Sequence, residues 1–314
     1  MATFFIKHIT KYSYSDKVID GANFIRLHPI NDAYQKVNSH FITITNNPYI
    51  DTFFDFYNNH VGTFMVTEPH YELSITSEIE VETTSRLLPN DLTEAEIQWN
   101  YLKTNKHHVD FLDFLMHRPF TGSQEILDLF KTIKIHSKTP YKAVLELCEY
   151  IYENFEYKKG ITNVNTSLDD IWNLKAGVCQ DFTAVLLQMF RMLGIPARYV
   201  SGYICSSNND TIGEDATHAW IEAYIPFYGW LGIDPTNNAI ADENHVRLAI
   251  GRKYSDCSPV KGVFKGNVES KMEVSVEVKT DKHQKTVPIS STTDYNNSFQ
   301  RNLELSKQQN QQQQ

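Results

Sequence analysis

The spacing of apolar residues in this chain changes once, near residue 90, and that change constrains the fold more than any other feature. Up to about residue 88, "FFIKHITKYSY", "ANFIRLHPI", "SHFITITNN", "TFFDFYNNHVGTFMVT" and "HYELSITSEIEVETT" alternate apolar with polar side chains. Turn-forming stretches such as "NNPYID" and "YNNHVG" separate them. A period of two marks strands with one buried face, and a run of strands with no helical pattern between them predicts an antiparallel sandwich or open barrel.

From about residue 91 the period becomes helical. "DLTEAEIQWNYLKT" and "GSQEILDLFKTIK" open on Thr, Ser or Asp with Glu close behind, as helix starts do. In "TPYKAVLELCEYIYENFEY", Val144, Leu145, Cys148, Ile151, Tyr152 and Phe155 share one stripe, so Cys148 belongs to a core face. "SLDDIWNLKAG" predicts a shorter helix capped by Ser167 or Thr166 and ended by Gly177. In "AGVCQDFTAVLLQMFRMLGIPAR", Phe182, Val185, Leu186, Met189, Phe190 and Leu193 form a buried stripe, which Gly194 and Pro196 terminate. "ARYVSGYIC" and "THAWIEAYIPFYGWLGIDP" then predict strands, the second a pair around a turn near 226–229, and "SKMEVSVEVKT" one more. The sequence thus predicts an α+β protein. An N-terminal antiparallel β-sandwich-like domain covers 1–90, a core with a helical lead-in covers 91–280, and a polar, Gln-rich disordered tail covers 281–314.

Composition narrows the partners. A net charge of -9 with no Lys/Arg block argues against nucleic acid. No apolar run reaches the roughly 18 residues of a membrane span. The start "MATFFIKHITKYSYS" lacks an apolar core and a small-residue cleavage site, so a cytoplasmic protein is expected. Cys148, Cys179, Cys205 and Cys257 show no CxxC pair, and in a reducing compartment they are expected as free thiols. No HExxH or acidic-loop motif points to a metal, and no cofactor is expected.

Cys179 stands at or beside the N-cap of the helix predicted from its own stretch. Unpaired backbone N–H groups and the positive dipole end favour a thiolate there. It is also one step off the buried stripe. By position alone it is either a core thiol or a nucleophile. A thiol nucleophile needs a base, and the base needs an orienting group. His218 shares a strand face with Trp220, Glu222 and Tyr224 in "ATHAWIEAY". Across the turn, Asp234 falls opposite or diagonal to it on the same face, ended by Pro235. Asp181 supplies negative charge to the first helical turn, while Trp220 and Tyr203 line a cleft or pack the core. Cys205 and Cys257 read as structural.

"GVCQDFTAVLLQMFRMLGIPARYVSGY" followed by "THAWIEAYIPFYGWLGIDPTNN" closely resembles the transglutaminase-like superfamily, with its cysteine, "HAW" and "DPT" signatures in order. "LHPINDAYQKV" with the β-rich start, and "HVRLAIGRKYSDCSPVKGVFKG", resemble the flanking regions of its bacterial members, so the likeness spans roughly residues 1 to 280. The resemblance implies a papain-like Cys-His-Asp core with Cys179 as nucleophile, His218 as general base and Asp234 as orienting residue. It also implies acyl transfer on peptide or protein amides through a thioester, with hydrolysis favoured over transamidation. The backbone N–H of Cys179 is one natural oxyanion donor, and Trp172, Tyr157 and Gln180 are candidates for the second or for the cleft. The competing expectation is a non-catalytic protein-binding module on the same scaffold.

Overall fold

A computed structural model describes residues 1–205, 217–266 and 268–280, and the backbone of 290–295. The chain divides into two compact units: Met1–Thr83 with the chain from Ser258 onward, and the chain between them. The first opens with β1 (Ala2–Ile25), followed by β2 (Gln35–Ile44), β3 (Asp51–Phe54), β4 (His60–Val66) and β5 (His70–Thr83). The sequence predicts two strands where β1 is continuous. It stays continuous because it changes partners along its length. Its first half pairs with β5, the register shifts between Ser13 and Val18, and residues 21–25 pair with β4. Alternate side chains are buried in two stretches, from Phe4 to Thr10 and from Gly21 to Ile25.

The second unit begins with α1 (Ala95–Asn105), α2 (Val109–Leu115), α3 (Ser123–Thr132) and α4 (Pro140–Asn154). Helix α4 is capped by Thr139, whose hydroxyl accepts from the Lys142 N–H. Then come β6 (Glu156–Tyr157), α5 (Leu168–Leu174), β7 (Ala176–Gly177) and α6 (Cys179–Met192). Ser167 caps α5 as expected, but the helix ends at Lys175, in the left-handed conformation at φ 47°, and not at Gly177. That early stop releases Ala176 and Gly177 to pair in parallel with Glu156 and Tyr157. The strands β8 (Ala197–Ile204), β9 (His218–Ile225), β10 (Gly229–Asp234), β11 (Ala239–Ile240) and β12 (His245–Gly251) form an antiparallel sheet in the order β11-β10-β9-β8-β12, and the short helix α7 (Tyr254–Cys257) follows. The predicted stripe of α6, from Phe182 to Leu193, is buried against Ala219, Ile221, Ala223 and Ile225 of β9 and their neighbours.

The chain then returns to the first sheet as β13 (Val260–Lys265), β14 (Ser270–Thr280) and β15 (Ser290–Tyr295). β13 and β14 both pair with β1, and β15 pairs with β14. Residues 258–280, grouped with the core by the sequence reading, therefore complete the N-terminal sheet: alternation predicts a strand but not its partner. The expected disordered tail includes β15, whose Ser/Thr-rich backbone extends along the β14 edge. The rest of 281–314 lies outside the described residues. Among the described residues, no helix is long and apolar enough to cross a membrane.

Candidate active site

The start of α6 is held from two sides. Val178 is extended, and its N–H donates to Asp181 Oδ2 at 2.8 Å; the Thr162 hydroxyl donates to the same oxygen at 2.6 Å. Burial raises the Asp181 carboxyl, and these hydrogen bonds oppose the shift. A Cβ at residue 177 would lie 2.4 Å from Asp181 Oδ2, which is why glycine stands there. Asp181 is thus a built-in cap, a more specific task than lending charge to the first turn. Cys179 is half-buried as the first residue of the helix, where the leading N–H groups have no intrahelical acceptor.

One turn further along α6, the Thr183 hydroxyl donates to the Ala219 carbonyl at 3.1 Å. That bond ties the Cys179 end of the helix to the first residues of β9, where His218 lies. The β9–β10 hairpin turns through Phe227 (φ 66°) and Gly229 (φ 106°), and Trp230 pairs with Tyr224. Continued, this register sets Asp234 diagonal to His218, the second of the two arrangements the sequence allows. His218 Nε2 and Asp234 Oδ2 are 2.9 Å apart, and both side chains are fully buried. With Nε2 taken by Asp234, Nδ1 has no oxygen or nitrogen partner among the described residues, and the Cys179 thiol is the further group that acts on the ring.

The electrostatics follow from this order. Burial disfavours the imidazolium, but the Asp234 charge and hydrogen bond, joined by Cys179, outweigh it and push His218 up to about 10. Burial would likewise raise Asp234, yet the charges and hydrogen bonds of His218 and His245 hold it well below the usual carboxylate range. Asp234 also receives the Thr236 N–H at 3.0 Å and the Asn237 side-chain amide at 2.7 Å. The sequence reading did not include Thr236, Asn237 or His245. The first two stand inside the "DPTNN" signature and could have been found there. His245, one of twelve histidines, opens the "HVRLAIG" stretch, which resembles a flanking region and gives no sign of contact with Asp234.

The accessory candidates divide differently. Trp172 is buried, its indole N–H donates to Glu125 at 3.2 Å, and its ring packs against Phe120 and Phe155, so it is a core residue and not an oxyanion donor. Tyr157 lies on β6 against Phe182, and Gln180 is half-buried in the first turn of α6. Trp220 is fully buried, with its ring next to those of His218 and His245, so it packs beneath the site and does not face a cleft. Tyr203 is also wholly buried. Cys148, Cys205 and Cys257 are buried thiols: Cys148 donates to the Asp234 carbonyl at 3.5 Å, and Cys257 to the Tyr199 carbonyl at 3.7 Å. Among the described residues, no group of three or more His, Cys, Asp or Glu is arranged to hold a metal ion.

Comparison with known proteins identifies relatives and a shared fold. An uncharacterised protein of Mycobacterium tuberculosis is 32% identical over 291 residues, covering 87% of this chain and 91% of its own. A protein-glutamine gamma-glutamyltransferase of Pseudomonas aeruginosa is 28% identical over 126 residues, 38% of this chain and 19% of its own. The crystal structure of a proposed cysteine protease from Cytophaga hutchinsonii superposes with a TM-score of 0.72 at 22% identity, covering 94% of this chain and 98% of the other, which establishes the shared fold. Residues 4–82 match the bacterial transglutaminase-like N-terminal region and residues 129–235 the transglutaminase-like superfamily. The chain belongs to the transglutaminase-like superfamily, and the matched residues 129–235 include Cys179, His218 and Asp234.

Proposed function

We propose that the protein is a cysteine-dependent acyl-transfer enzyme acting on peptide or protein amides. The observation that carries this reading is the buried His218, hydrogen-bonded to Asp234 through Nε2, with the Cys179 thiol at a helix N-terminus the further group that acts on its ring. Cys179 Sγ attacks the amide carbonyl carbon, and the carbonyl oxygen takes up the negative charge. Leading N–H groups of α6, that of Cys179 first, are placed to stabilise it. As the C–N bond breaks, His218 delivers its Nδ1 proton to the departing ammonia or amine, leaving a thioester on Cys179. Water then attacks the thioester as His218 Nδ1 accepts its proton, and collapse of the adduct breaks the C–S bond, releasing the carboxylic acid and restoring the Cys179 thiolate beside protonated His218. Asp234 keeps the ring in the tautomer that makes both transfers possible.

Hydrolysis is the favoured outcome. The likeness of one stretch to a protein-glutamine gamma-glutamyltransferase supports a second outcome, in which a primary amine replaces water at the thioester. The reading keeps the chain in the cytoplasm, where its four thiols would stay reduced. The test is to incubate the protein with a glutamine-containing peptide and a labelled primary amine, then read masses. Amine incorporation identifies a transamidase, ammonia loss a deamidase and backbone cleavage a peptidase. Turnover retained by Cys179→Ala would overturn the reading.

A further inference from the structure

Asp234 is gripped from three directions. Thr236 and Asn237 reach it from its own turn and His218 from β9; the third contact comes from His245, at the first position of β12. His245 Nε2 lies 3.5 Å from Asp234 Oδ2. On its other side, Nδ1 lies 3.2 Å from the Asp242 backbone nitrogen and 3.1 Å from Asp242 Oδ1. This double contact fixes the ring whatever its charge. A neutral ring accepts the Asp242 N–H at Nδ1, and an imidazolium donates Nδ1–H to the Asp242 carboxylate. In both cases the Nε2–H points at Asp234.

The approach of β12 is built into the sheet. Residue 202 of β8 pairs with both His218 and Arg247, and a Cβ there would lie 2.1 Å from the Val246 carbonyl and 2.6 Å from the Trp220 ring. Glycine at this position lets the Trp220 ring pack against both histidines, stacked on His218 at 6.0 Å and edge-on to His245 at 5.2 Å between centroids. The result is a line of alternating acids and bases: Asp242, His245, Asp234, His218 and finally Cys179.

We infer that His245 is a positioning residue: its Nε2–H holds Asp234 in register with His218, and Asp242 holds His245. This rests on the Cys179 reading above and extends it beyond the three signature residues. Burial opposes the charge on His245, while hydrogen bonds to Asp234 and Asp242 raise it and His218 lowers it, so the acids dominate its surroundings.

The test follows alkylation of Cys179 by iodoacetamide from about pH 5 to 8 by mass spectrometry. His245→Ala, His245→Gln and Asp242→Asn are compared with the unaltered protein, with near-ultraviolet circular dichroism as the folding control. Loss of one hydrogen bond to a charged group predicts about tenfold slower labelling near pH 6 in His245→Ala. His245→Gln keeps an N–H donor and should recover to within about threefold. A folded His245→Ala that labels at the unaltered rate overturns the inference, as does a His245→Gln that labels as slowly as His245→Ala. If His245→Ala fails to fold, Asp242→Asn decides: about threefold slowing supports the inference, and an unchanged rate and pH profile overturn it. In the unaltered protein, a Cys179 that labels no faster than the buried cysteines removes the catalytic reading itself, before any His245 variant is compared.

Discussion

Two groups of histidines, half-buried in the first unit and buried in the second, shift in opposite ways. In the first unit, His28 and His40 approach through their Nδ1 atoms at 2.8 Å, His60 packs against His28 at 4.0 Å between ring centroids, and His40 Nε2 meets the Ser77 hydroxyl at 2.8 Å. Burial, reinforced by the neighbouring imidazoles, pushes His28 down to about 3 and His40 to about 4. In the second unit, His218 and His245 are buried more deeply, yet both are raised, because Asp234 stands between them and Asp242 behind His245. The difference teaches that burial alone makes a histidine inert near neutral pH. A buried carboxylate partner keeps it charged there.

The largest expected effect comes from removing that partner. Asp234→Asn keeps the shape of the site but takes away the charge that supports imidazolium at His218. Turnover should fall about 10⁴-fold, the scale seen when a triad acid becomes an amide. A drop of less than about tenfold would mean the site does not depend on the contrast between the two groups.

The second effect is on stability, and its sign differs between the units. His28 and His40 have folded values below the unfolded value of about 6.5, so the stability they contribute is complete above that value. It is lost as pH falls toward about 3 to 4. His218 has a folded value near 10, so its contribution is complete below about 6.5 and is lost as pH rises toward 10. Amide hydrogen exchange should therefore show β2 and β4 loosening first in acid, and β9 and β10 in alkali. His28→Leu should reduce the acid response and leave the alkaline one; an unchanged acid response in that variant would assign the acid sensitivity elsewhere.

The smallest effect separates core from site within the second unit. Trp172→Phe loses the indole hydrogen bond to Glu125 and part of the buried ring packing, so it should cost about 2 kcal/mol in urea unfolding and leave turnover within about threefold. A large loss of turnover at unchanged stability would return Trp172 to the oxyanion site.

The parts of this arrangement that were legible in the sequence are those in which local pattern and placement coincide. The stripe from Phe182 to Leu193 orients α6, and a cysteine just before that stripe falls at the helix start. Strand alternation and a hairpin turn bring His218 and Asp234 to one face, with the diagonal register decided by Phe227 and Gly229. What could not be read depends on partners distant in the chain. The pairing of β14 with β1 joins residues more than 250 apart, and nothing in "SKMEVSVEVKT" specifies that partner. His245 becomes part of the site only because β12 docks beside β8 over a glycine, and Trp172 leaves it because Glu125, on another helix, takes its N–H.

The measurement that tests the contrast most directly is an NMR titration of the imidazole nitrogens in the folded protein, which reads both groups in one experiment. His218 should remain protonated through neutral pH and release its proton only near about 10, while His28 and His40 stay neutral until about 3 to 4. If all three instead titrated near the ordinary value of about 6.5, the carboxylate-supported imidazolium at the centre of the proposed chemistry would be contradicted.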